Sequence, residues 1–162
     1  MIKNLSILFA TLLTATIAHA KISPVYEVLR IIDEATQAMA EHLEVDQDDL
    51  EISNIKLHVL QGQSDVHVAS AREVTVTVGR MSCVANIHRK NPPPGMIGGS
   101  LLSATISKSG CRDLWDVSPK SIAYGKIAPK LSKAASEGKL ISAIQVTETK
   151  AGKAKLKLVY AK

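Results

Sequence analysis

The first strong periodicity in the chain is helical. Val25, Val28, Leu29, Ile32, Thr36, Met39 and Leu43 recur at three- and four-residue spacing, with Glu27, Arg30, Asp33, Glu34, Gln37 and Glu41 on the other side. That spacing predicts an amphipathic helix of about five turns, which needs an apolar surface to lie on. Ser23-Pro24 marks its start, a capping residue followed by proline in the first turn.

The period then falls to two. Ile55, Leu57 and Val59 alternate with Lys56 and His58, and Val66 and Val68 alternate with Asp65 and His67. Gln61-Gly62-Gln63-Ser64 between them reads as a hairpin loop. Val74, Val76 and Val78 alternate with Thr75 and Thr77, a strand continuing toward Ile87 with Gly79 as a bulge. Asn91-Pro92-Pro93-Pro94-Gly95 and Gly98-Gly99 punctuate a loop before a further strand over residues 101–107. Ser118-Pro119 reads as a helix start that Gly125 and Pro129 interrupt, and residues 128–137 as a short helix stopped by Gly138. Residues 140–148 and 153–160 form a hairpin around Lys150-Ala151-Gly152. The expected architecture is one α+β domain, an N-terminal amphipathic helix packed on an antiparallel β-sheet of about five or six strands.

Ahead of this domain, Lys3, an apolar run over residues 5–17 and Ala18-His19-Ala20 have the pattern of a secretory signal peptide. The run is too short for a comfortable transmembrane helix. Cleavage near Ala20 leaves residues 21–162 as a single domain, periplasmic or secreted, and no cysteine follows Ala20 to take a lipid. After Phe9 the aromatics are Tyr26, Trp115, Tyr124 and Tyr160, so the core must be aliphatic. Charge divides the chain. Residues 21–80 hold five Lys/Arg against eleven Asp/Glu, net −6, and residues 81–162 hold fourteen against four, net +10. Such a split reflects either a basic binding face or two halves attracting each other within one domain.

Cys83 and Cys111 are the only cysteines, and in an exported chain they predict a disulfide. If the flanking strands form a hairpin centred near residue 97, the two lie opposite each other and hold the Pro/Gly loop. They are not a Cys-x-x-Cys redox pair. By the same arithmetic, a hairpin centred on Gly62-Gln63 makes His58 and His67 cross-strand partners about 5 Å apart, within reach of one zinc or copper ion. Two histidines are an incomplete ligand set, with His88 and Asp65 the nearest candidates to extend it; solvated histidines are the plainer reading. The acidic segment 44–51 lacks the glycine and closing glutamate of a calcium loop.

Lys153, Lys155 and Lys157 share one face of the final strand. They suit an anionic partner or, equally, an edge strand protected by charge. Trp115 is expected in the core beside the disulfide, with an interface anchor as the alternative. Pro92, Pro93 and Pro94 form a stiff projection of polyproline type suited to a partner's groove. Nucleic acid is disfavoured by the shortage of stacking aromatics. The chain has no Gly-x-Ser-x-Gly, His-Glu-x-x-His, phosphate-loop or dinucleotide motif, so no motif nominates an enzyme. The leading expectation is therefore an exported non-enzymatic binding domain, an envelope accessory subunit or inhibitor-like module with a protein partner. The alternatives are electrostatic attachment to an anionic polymer or membrane surface, and a metal-binding protein using His58 and His67.

Overall fold

The computed structural model describes residues 23–59, 65–95, 100–116 and 119–162. Residues 1–22, on which the signal-peptide expectation falls, residues 60–64 with the expected hairpin loop, residues 96–99 of the Pro/Gly loop, and residues 117–118 with Ser118 of the expected helix start lie outside the described residues. Among the described residues no helix is long and apolar enough to cross a membrane.

Helix α1, Pro24–Leu43, forms where the amphipathic pattern places it. Val28, Ile31, Ile32, Ala35, Thr36 and Met39 are buried with no exposed surface, while Val25, Leu29 and Leu43 at the margins of the stripe are half-buried. Thr36 satisfies its hydroxyl by donating to the Ile32 carbonyl at 3.0 Å. The helix ends without glycine: Glu44 takes the left-handed conformation (φ 55°), and the Val45 amide donates back to the Ala40 carbonyl at 3.0 Å.

The strands are β1 (Glu51–His58), β2 (Glu73–Val78), β3 (Met81–Lys90), β4 (Leu101–Asp113), β5 (Ile122–Ala123), β6 (Ile141–Glu148) and β7 (Ala154–Tyr160). All pairings are antiparallel; the sheet runs β4-β3-β2-β1-β6-β7, with β5 added to the end of β1. Among the described residues the sheet has six strands on its main path, with the two-residue β5 beside β1, and so matches the expected antiparallel sheet. Ile55, Leu57, Val74, Val76, Ala85 and Ile144 turn inward against α1 to form an aliphatic core. Its composition follows from the scarcity of aromatic residues.

Three local expectations fail. Gly79 (φ 55°) does not bulge a continuous strand but turns the chain between β2 and β3, which pair as an antiparallel hairpin. Residues 65–70 form a 3-10 helix rather than a strand, because Val68 enters the core and Ala71 follows it, leaving β2 as the partner of β1. The second helix, α2, runs Tyr124–Ser136, straight through Gly125 and Pro129. Pro129 lies in the second turn, where it removes one bond to the Gly125 carbonyl without ending the helix. Gly125 is needed there. Its amide donates to the Asp48 carbonyl at 3.0 Å while Tyr124 donates to Leu50 at 2.9 Å, locking the helix start onto the loop after α1. The β6–β7 hairpin and the stop at Gly138 (φ 74°) form as expected.

Candidate interaction surface

The β3–β4 hairpin carries the disulfide at one end and the proline loop at the other. Cys83 and Cys111 are bonded and face each other in the ladder. Beyond them the register changes. Ala85 pairs Ile106 and Lys90 pairs Leu101, so residues 107–110 bulge opposite Val84. Gly110 makes the bulge possible, since a Cβ there would stand 3.2 Å from the Ser107 carbonyl oxygen. The disulfide sits seven residues from the end of β3, roughly 23 Å from the loop at strand spacing. It therefore closes the far end of the hairpin and does not clamp the prolines.

The loop is held instead by α1. Arg30 donates to the Ser100 carbonyl at 2.8 Å and to Glu27 at 3.1 Å. Glu27 also faces Arg89 at 3.7 Å, and Arg89 donates to the carbonyls of Ala69 (2.7 Å) and Ala71 (3.1 Å). Above this base Pro92 is half-buried, whereas Pro93 and Pro94 are exposed. Beside it opens a cleft of about 600 Å³ lined by Arg72, Ile87, His88, Arg89, Lys90, Ser103 and Thr105. Among the described residues no carboxylate lines it. His88 is held by Thr105, Nε2 to Oγ1 at 2.8 Å. Sequence reasoning missed this cleft. Arg89-Lys90, separated from the prolines by Asn91 alone, was the available signal, but only the β2–β3 pairing adds Arg72.

The remaining predicted residues lie elsewhere. β7 is the edge strand opposite β4, five strand spacings or about 24 Å away, so Lys153, Lys155 and Lys157 do not join the proline loop. All three are exposed. Lys157 stands across from Gln145, which pairs Asn54, on the sheet face away from the helices. Trp115 follows β4 at the disulfide end and is 76% exposed, not buried as expected. The turn beyond β4 is fixed by the Leu114 amide donating to Arg80 at 2.8 Å, which places the indole past the edge of the core.

His58 and His67 are not cross-strand partners. His58 pairs with Glu73 in the β1–β2 ladder and contacts Thr75 Oγ1 through Nε2 at 2.6 Å. His67 lies on the 3-10 helix. The hairpin that would have opposed them does not form, because β1 takes β2 as its neighbour.

Between the helices a smaller cavity of about 250 Å³ is bordered by Leu29, Arg30, Asp33, Tyr124 and Leu131. Tyr124 donates to Asp33 Oδ1 at 3.3 Å, and burial holds its phenol above the usual tyrosine range, so it stays protonated. Burial likewise raises the Glu34 carboxyl, with the neighbouring Asp33 charge adding to it. No known protein family, curated protein or solved structure matches the chain.

Proposed function

We propose that this protein is an exported, non-enzymatic binding domain whose partner surface is the cationic cleft beside the proline loop, and that it receives an acidic segment of another protein. The observation carrying this reading is the cleft itself: Arg72, Arg89 and Lys90 line it with no carboxylate among its described lining residues. While Arg89 is shared with Glu27, Arg72 and Lys90 have no ion pair among the described residues, and the exposed Pro93 and Pro94 follow Lys90 in the chain. Charge convergence of this kind attracts acidic ligands and raises their association rate. The charge split of the chain supports it. Among the described residues, Glu27–Arg89 is the one ion pair joining the acidic and basic halves, so internal attraction absorbs little of the basic excess. Export is supported by the leader pattern and by the disulfide. Affinity capture from an envelope extract tests the reading. Deletion of residues 92–94 should abolish recovery of the partner, and undiminished recovery would reject the loop's part in it.

A second reading has its own support. Lys155 and Lys157 are exposed on an edge strand, with Lys153 just before it, and suit an anionic polymer or membrane surface. It predicts binding that collapses with salt and with K153Q/K155Q/K157Q.

A further inference from the structure

Beside the disulfide stands a third metal-binding side chain that pairing of the cysteines leaves unexplained. His42, in the last turn of α1, places Nε2 3.6 Å from Cys111 Sγ. The donor atoms of His42, Cys83 and Cys111 all lie within 4.8 Å of one another. Tetrahedral ligation at about 2.0–2.3 Å spaces the donors about 3.5–3.8 Å apart, so His42 Nε2 already stands at ligand spacing from Cys111 Sγ, and the two sulfurs, bonded to each other in the disulfide, separate to that spacing once reduced. Three different elements supply it: the end of α1, the start of β3 and the end of β4. The packing of α1 on the hairpin therefore preassembles it.

The geometry points to a zinc site in the dithiol form of the protein, with Cys83 and Cys111 thiolates and His42 Nε2 as ligands and water in the fourth position. The charge fits: two thiolates neutralise a divalent ion, which matters because Cys83 is fully buried. Soft sulfur with imidazole selects zinc over magnesium or calcium. Access fits as well, since His42 and Cys111 are half-buried and leave the fourth position open to solvent. The step from disulfide to site is a two-electron reduction. A dithiol donor gives two electrons and two protons to the sulfurs and becomes a disulfide itself; zinc then displaces both thiol protons to solvent. Disulfide and zinc are thus alternative closures of the same hairpin end.

The test reduces the full protein with a phosphine, which becomes the phosphine oxide with oxygen from water, and titrates Zn2+ anaerobically against a chromophoric chelator. Cobalt substitution reports thiolate ligation by charge-transfer absorption. The reduced protein should bind one zinc per chain and the oxidised protein none at this site. H42A should weaken binding at least about tenfold, as loss of a ligand must exceed the mildest loss of an outer-shell partner, while H58A should bind as wild type. No binding by the reduced protein, or equal affinity in H42A, overturns the proposal. Circular dichroism of the same samples covers the case of an unfolded reduced chain: His42-dependent refolding by zinc supports the site, and failure to refold rejects it.

Discussion

Gly125 lies so close to Asp48 that a methyl group on it would stand 3.2 Å from the Asp48 Cβ and 3.3 Å from its carbonyl oxygen. Asp48 has no room to retreat, because that same carbonyl accepts the Gly125 amide. G125A should therefore destabilise the protein by about 1–2 kcal/mol, the steric cost outweighing the better helix propensity of alanine. Urea denaturation of the two proteins measures it, and a more stable variant would show that the loop yields.

Reduction of Cys83–Cys111 in metal-free buffer should lower stability by about 3.5 kcal/mol, given a sequence separation of 28 residues. Denaturation with and without phosphine reads this directly. A loss below about 1 kcal/mol would mean that the unfolded chain is already constrained there.

Trp115 provides a clean optical probe, as the chain has no other tryptophan. With the indole 76% exposed, its fluorescence in the native state should be red-shifted and quenched by iodide nearly as well as in the unfolded chain. W115A should change stability by no more than about 0.5 kcal/mol, against about 3–5 kcal/mol for a buried tryptophan. A blue-shifted, protected emission would place the residue in the core after all.

Glu34 makes stability depend on pH in a defined direction. Its folded-state pKa is raised by burial and by the Asp33 charge, so the neutral acid is the form the fold favours. This contribution is present in full below the ordinary value of 4.5 and is lost as pH rises through the raised one. E34Q should accordingly be more stable than wild type at neutral pH, with the difference shrinking below pH 4.5. Denaturation midpoints across pH 3.5–7 check the trend, and a difference constant with pH would contradict it.

How much of this was legible follows from how local each signal is. The α1 stripe and the β6–β7 alternation are complete within their own segments, and both elements form where the pattern sets them. The cysteine pairing was legible too, although the bulge at residues 107–110 moves the hairpin centre off residue 97. Val66 and Val68 misled because their alternation over so few residues suits a strand or a 3-10 turn equally, and tertiary burial of Val68 decided it. Pro129 and Gly125 disguised α2, whose start depends on Asp48 and Leu50 far away in sequence. The cleft and the His42 cluster were hidden for the same reason. Arg72 comes to line the same cleft as Lys90, and His42 meets Cys111, only through strand pairing and helix packing.

The most direct test of the binding account compares R72E/K90E with K153Q/K155Q/K157Q in affinity capture from an envelope extract at low and moderate salt. Arg72 and Lys90 are exposed, so the charge reversal should leave the fold intact, as thermal denaturation will verify. The account predicts a stoichiometric protein partner that persists at moderate salt, is lost with R72E/K90E and is retained by the lysine variant. Retention by R72E/K90E with loss in the lysine variant would contradict it and assign binding to the β7 edge.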